Sequence, residues 1–241
     1  AEILPHLYEE YGEEFPLHLR GMFAIALYDI NRHRLLLARD RIGKKPLYYH
    51  CGGSRLIFSS ELNSLMAAHG IPKEIDMSAL DIFLSLQCVP SPLSIYRYVK
   101  KLPPASILCA EMPENSKKAE ISIKKYWNLP EISSGTGNFN EKEAETRLFA
   151  ITEESVKLRM NADVPLGAFL SGGLDSAEIT ALMAKNSAKP IKTFTIGFKE
   201  EEFSELPYAR LTAEKYGTDH SEFIVEEDMA CTAEEIGRAH V

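Results

Sequence analysis

Apolar and polar positions follow two different rhythms along this chain, and the change between them divides it. In the first half, short apolar runs alternate with turn residues. Glu2–Tyr11 carries apolar residues at helical spacing, with Pro5 tolerable in a first turn. Gly21–Asp29 and Arg34–Arg39 read as apolar strands around the polar loop Ile30–His33, a hairpin pattern. Pro46–His50 and Arg55–Ser59 repeat it around Cys51-Gly52-Gly53-Ser54. Ser60-Glu61 opens a helix expected to run through Ala68 and to close at Gly70 and Pro72. Met77–Gln87 predicts another helix, with Asp76 or Ser78 as cap. Ser106–Ala110 and Ile121–Lys125 predict a last hairpin around the polar loop Met112–Lys118. This half is α+β.

Residues 128–140, NLPEISSGTGNFN, have the Gly, Ser, Asn and Pro content of a linker. No strand–turn–helix context surrounds their glycines, so these are not a nucleotide fingerprint. Beyond them the rhythm becomes strand–helix alternation. Glu141–Met160 is a long helix, with Ala144, Leu148, Ile151, Ser155 and Leu158 on one face. Val164–Leu170 is a strand, Ser176–Asn186 a helix, Ile191–Gly197 a strand, Leu206–Tyr216 a helix ended by Gly217, and Glu222–Val225 a strand. Such alternation implies a parallel sheet with right-handed crossovers, an α/β domain whose ligands sit beyond the carboxyl ends of the strands.

Composition narrows the function. The chain has 241 residues, 45% hydrophobic and 26% charged, enough apolar material for a core. A net charge of −8 argues against nucleic-acid and membrane-surface partners, which need a basic face. Apolar runs such as Gly21–Tyr28 and Val164–Leu170 fall well short of the ~20 residues that span a bilayer. The opening AEILPHLYEEYGEEF is no secretory leader. Cys51, Cys88, Cys109 and Cys231 form no CxxC pair, so neither zinc nor a disulfide framework is signalled, and reduced thiols in a cytoplasmic protein are expected.

The strongest chemical signal is FLSGGLDSAEI, residues 169–179, at a predicted strand-to-helix junction. Gly172 and Gly173 let backbone N–H groups approach an anion. Ser176 falls in the first helical turn, where free N–H groups and the dipole favour phosphate, and Ser171 and Ser176 add hydroxyls. Asp175 repels phosphate, and its natural task is to hold Mg²⁺ that bridges to phosphate oxygens. No Walker lysine is present, so the run suits a pyrophosphate cradle rather than a γ-phosphate-transferring loop. The plainer alternative is a Gly-Gly turn with Asp175 as helix cap. Elsewhere, the basic run Arg32–Lys45 reads as a charged hairpin edge that discourages aggregation. His220 reads as a surface or packing residue, and Trp127 as an anchor between domains.

SGGLDS resembles the PP-loop of ATP pyrophosphatases, and the longer run DVPLGAFLSGGLDS, residues 163–176, resembles one branch of them, the glutamine-dependent asparagine synthetases. Gly21–Asp29 (GMFAIALYD), Ala38–Tyr49 (ARDRIGKKPLYY) and Phe58–Leu65 (FSSELNSL) resemble the later part of that family's glutaminase domain. Val89–Pro104, with VPSPLSIYRYVKKLPP, resembles the run leading out of it, and Tyr126-Trp127 the crossing to the synthetase domain. Thr193–Phe198 (TFTIGF) resembles the family's next strand after the loop, and Tyr208–His220 (YARLTAEKYGTDH) the helix and turn beyond that strand.

The resemblance implies an N-terminal-nucleophile glutaminase αββα sandwich, in part, followed by a truncated PP-loop ATP-pyrophosphatase domain. It implies ATP-dependent amidation of aspartate through an aspartyl-adenylate, with glutamine as nitrogen donor and release of AMP and pyrophosphate. Leu170 and Ile196 would meet the nucleotide, Ser171, Gly172, Gly173 and Ser176 the pyrophosphate, and Asp175 the magnesium. A sister amidotransferase acting on another carboxylate remains open, with Pro104-Ala105 where the family more often shows Pro-Gly. The family's N-terminal cysteine nucleophile has no counterpart, since residue 1 is Ala. The expected division is 1–127, a partial glutaminase domain; 128–140, a linker; 141–234, a partial ATP-binding synthetase domain; and 235–241, EIGRAHV, a non-native tail that back-translates to sequencing-adapter DNA. Neither active site is then complete. A homodimer is compatible with the full-length family protein.

Overall fold

The structure, a computed structural model, describes residues 2–52, 55–111, 119–131, 140–198 and 204–225. The expected polar loop Met112–Lys118, most of the expected linker, Cys231 and the expected tail 235–241 lie outside them. The chain divides into two compact units, Ala1–Ile132 and Ser133–Val241.

The first unit opens with helix α1 (Ile3–Tyr11), which runs into a 3-10 turn, Gly12–His18, that the apolar rhythm does not reveal. Strands β1 (Ala24–Asp29), β2 (Arg34–Arg39), β3 (Tyr48–Gly52) and β4 (Arg55–Ser59) come after it. Helices α2 (Leu62–Met66) and α3 (Met77–Leu86) are next, the second capped by Asp76, whose side chain accepts from the Ser78 and Ala79 amides. The unit closes with β5 (Lys100–Lys101), β6 (Ser106–Glu111) and β7 (Glu120–Lys125).

Two antiparallel sheets result, in the orders β1-β2-β6-β7 and β4-β3-β5. Period-two alternation sends β2 and β6 side chains to both faces of the first sheet. On one face Leu36, Ala38, Ile107 and Cys109 pack with Phe15 and, at the margin, with Leu4, Leu7 and Tyr8 of α1. On the other, Leu37, Leu108 and Ala110 meet Leu47 and Leu102, with Tyr49 of β3 and Leu56 of β4. Leu65 and Met66 of α2 cover Tyr48 and Ile57 on the far side of the second sheet. The packing order is therefore α1, sheet, sheet, α2.

This placement corrects the edge reading of Arg32–Lys45. β2 lies inside its sheet, between β1 and β6, so it has no open edge to protect. Its arginines are tied down instead: Arg34 spans Glu13 and Glu111, at 3.1 and 2.7 Å. Arg41 lies over the Trp127 ring, 5.6 Å from its centroid, a contact within the first unit.

The second unit contains α4 (Glu141–Arg159), β8 (Gly167–Phe169), α5 (Leu174–Lys185), β9 (Lys192–Phe198), α6 (Leu206–Tyr216) and β10 (Asp219–Val225). The strands form a parallel sheet in the order β10-β9-β8. Asn140 caps α4 by accepting from the Glu143 amide, and Gly217 ends α6 in the left-handed conformation. The expected strand Val164–Leu170 shortens to three residues, because Pro165 has no N–H for a ladder. The face of α4 that carries Leu148, Ile151 and Leu158 is not the one that docks. These side chains are exposed, and the helix docks through Val156 against Leu182, Met183 and Ile191. Helical period fixes which residues share a face, but docking decides which face is buried.

Candidate nucleotide site

The run at 169–176 stands at the carboxyl end of β8, where it turns into α5. Leu170 follows the strand and stays in register with β9. Its N–H donates to the Phe194 carbonyl at 2.8 Å, and its own carbonyl accepts from the Thr195 hydroxyl. The Leu170 side chain is buried with Ala209 and Ala213 of α6. Ile196, next along β9 after Thr195, is 52% exposed.

The two serines interlock. Ser171 Oγ lies 2.8 Å from Ser176 Oγ. The Ser176 hydroxyl reaches the carbonyls of Ser171 and Gly173, both at 3.0 Å, and the Gly173 N–H donates to Ser171 Oγ at 3.2 Å. The Gly172 N–H donates to the carboxylate of Glu205, at 3.3 Å. Gly172 is required by space: a Cβ there would come within 3.0 Å of the Cβ atoms of both Glu205 and Tyr208. Gly173 is the N-cap of α5, and the first helical bond runs from Ala177 N–H to the Gly173 carbonyl. The amides of Leu174, Asp175 and Ser176 precede that bond and point out of the helix start. Asp175 sits inside the first turn and makes no capping hydrogen bond, which removes the capping reading.

These residues fit a polyphosphate with magnesium in their donor types. The loop offers amides and hydroxyls for anionic oxygens, and a carboxylate one residue into the helix. Among the described residues no group of three or more His, Cys, Asp or Glu is arranged to hold a metal ion. Asp175 is the one carboxylate in the run 169–176, and a single carboxylate is compatible with Mg²⁺, which keeps waters and takes phosphate oxygens.

Sequence reading missed Glu205 and Tyr208, which close the far side of the loop. The signal available was Pro207, which places α6's start immediately after Glu205. His220 Nδ1 lies 2.9 Å from the Thr193 hydroxyl on β9, a packing role as expected.

A second gathering of amides lies in the first unit. Asp40, 2% exposed, accepts from the backbone N–H groups of Ile42 and Lys44 on one oxygen and of Phe23 and Lys45 on the other, at 2.9–3.3 Å. Burial pulls its pKa upward, but these donors outweigh it and hold the carboxyl below its ordinary value. The neighbouring Arg39 guanidinium donates to the carbonyls of Lys45, Leu102 and Gly43, at 2.7–2.8 Å. Gly43 has φ +73°, and a Cβ there would meet Pro104 at 2.9 Å. The Tyr126 hydroxyl donates to the Arg39 carbonyl at 2.7 Å, and burial pushes its pKa up to about 12. Desolvation pushes the Cys51 and Cys109 thiols up. Cys51 and Cys88 are exposed.

Antiparallel sheets in one unit and a parallel sheet with a Ser-Gly-Gly loop in the other define a two-unit chain of mixed α/β content. The description "Glutamine amidotransferase domain" matches residues 1–127, and "Asparagine synthase" matches residues 148–238. The chain belongs to the glutamine-dependent asparagine synthetase family. It is similar to asparagine synthetase [glutamine-hydrolyzing] 1 of Bacillus subtilis, 37% identical over 91% of this chain and 33% of that protein. Asparagine synthetase [glutamine-hydrolyzing] 3 of the same organism is 31% identical over 93% of this chain and 38% of its own length. The amidase chyE of Penicillium rubens is 31% identical over 91% of this chain and 34% of its own length. The chain therefore spans 33–38% of the length of these relatives. Among the described residues no helix is long and apolar enough to cross a membrane.

Proposed function

We propose that the protein of which these residues form part is a glutamine-hydrolysing asparagine synthase, an ATP-dependent carbon–nitrogen ligase of the cytoplasm. Its small-molecule substrates are glutamine, aspartate and ATP. Residues 1–127 belong to an N-terminal-nucleophile glutaminase sandwich, a reading that the order α1, sheet, sheet, α2 supports. Residues 128–140 connect it to a PP-loop ATP-pyrophosphatase domain beginning at 141.

In this reading Ser171, Gly172, Gly173 and Ser176 hold the β- and γ-phosphates, and the main chain at Leu170 and Ile196 borders the nucleoside. Asp175 would hold Mg²⁺, which would supply charge neutralisation on the departing pyrophosphate. A carboxylate is a poor electrophile, so adenylation of aspartate gives it a leaving group that ammonia displaces. The loop's contribution is positioning and fixed dipoles rather than proton transfer. The single observation that carries the reading is the interlocked Ser171–Ser176 turn at a parallel strand's carboxyl end, with Asp175 free of any cap.

The test is ATP–pyrophosphate exchange in the full-length gene product. Aspartate-dependent exchange is expected, and exchange absent with every carboxylate tried would remove the reading. One relative is named an amidase rather than an asparagine synthetase, which favours keeping a second reading, a sister amidotransferase for another carboxylate. Exchange that ignores aspartate but answers to another acid would select it.

A further inference from the structure

Glu205 stands against the loop that the nucleotide reading assigns to polyphosphate, and the inference rests on that reading. Its carboxylate accepts from the Gly172 N–H at 3.3 Å, the amide that a phosphate oxygen needs. The backbone that carries it is fixed. Leu206, the next residue, is 7% exposed and fills the space over Gly197, where a Cβ would collide with it. Ala209, one turn on, is fully buried beside Leu170. The Glu205 carbonyl would lie 3.2 Å from a Cβ on Gly172, so the start of α6 abuts the loop itself. The side chain, by contrast, is exposed and free to turn.

We propose that Glu205 is a built-in, displaceable competitor for polyphosphate at this loop. A fixed backbone returns the carboxylate to the same amide, while its exposed arm lets it swing clear. A phosphate oxygen and a carboxylate cannot share one N–H, and two anions at hydrogen-bond distance repel. Polyphosphate therefore seats as Glu205 turns out, and its return helps to expel pyrophosphate once that product separates from AMP. The residue lowers affinity and speeds release.

The test is calorimetric titration of this chain with inorganic pyrophosphate and with ATP, each with and without Mg²⁺. Glu205→Gln keeps an acceptor of the same shape and removes the charge. It is expected to bind both ligands roughly fivefold tighter than the wild type, with an unmoved thermal midpoint. Glu205→Asp, with its charge on a shorter arm, falls between them. Unchanged or weaker binding by Glu205→Gln, where the wild type binds, overturns the competitor role and leaves the nucleotide reading standing. Weakening confined to the Mg²⁺ titrations makes Glu205 a metal ligand instead. If neither protein binds either ligand, the inference falls, and the nucleotide reading is decided by the exchange assay on the full-length gene product.

Discussion

Two loops in this protein gather backbone amides around a carboxylate, and they differ in how tightly the carboxylate is held. After β2, Asp40 is buried, takes four amides and is fenced by Arg39 and Gly43. At the loop after β8, the exposed Glu205 reaches in from the start of α6 and takes one amide, at 3.3 Å. A buried carboxylate with every lone pair engaged cannot be exchanged without leaving donors bare, so the first loop is a finished structural joint. An exposed carboxylate with one contact exchanges readily with water or another anion. The same local chemistry thus makes a scaffold in one place and, on the proposed reading, a ligand site in the other.

The sharpest way to break the contrast is Asp40→Ala. It strands buried donors and is expected to cost about 3–5 kcal/mol, read as a lower denaturant midpoint. Because Asp40's folded pKa lies below its unfolded one, its stabilisation is full above the ordinary carboxylate pKa. It fades as pH falls through the folded value, and Asp40→Asn should lack that acid-sensitive component.

Next comes Gly172→Ala, whose methyl group presses on Glu205 and Tyr208. An overpacking cost of roughly 1–3 kcal/mol and weaker ATP binding are expected, and an unaltered thermal midpoint would contradict the close approach. Ser176→Ala removes the hydroxyl that ties Ser171 to Gly173. It should cost about 1 kcal/mol of stability and a larger share of ATP affinity.

The smallest effect concerns Glu153, which joins α4 to α5. Hydrogen bonds from Asn186, Lys157 and Lys185 hold its pKa down at about 2. Its contribution is complete above the ordinary glutamate pKa and is lost as pH falls from there toward that value. Glu153→Gln should flatten a small slope in thermal midpoint over that window and leave ATP binding unchanged.

The sequence disclosed what is local. β2 and β4 fall at the residues the apolar alternation marks, and α4 and α6 arise from period and caps. The family was legible because SGGLDS is a contiguous motif. What escaped depends on partners distant in sequence. Nothing near Arg32–Lys45 states that β6 will cover β2's second edge. Lys100-Lys101 becomes a strand only because Tyr48 and Tyr49 lie beside it. The 3-10 turn over Gly12–His18 has Pro16 inside it and too few residues to show a period. Glu205 escaped for the same reason: it reaches the loop across 33 residues of chain.

The pairing of β2 with β6 also bears on how the chain folds as it is made. Arg34 meets Glu111 across 77 residues, whereas Thr195 reaches Leu170 across only 25. Non-local pairing must close a long loop first, which slows it. On a ribosome adding about 5–20 residues per second, Leu35–Ala38 therefore waits for seconds with one edge bare and both faces apolar. The first unit is expected to be the slower to form and the more prone to aggregate, and pulse-labelled hydrogen exchange would show β2 protected only after β6 has emerged.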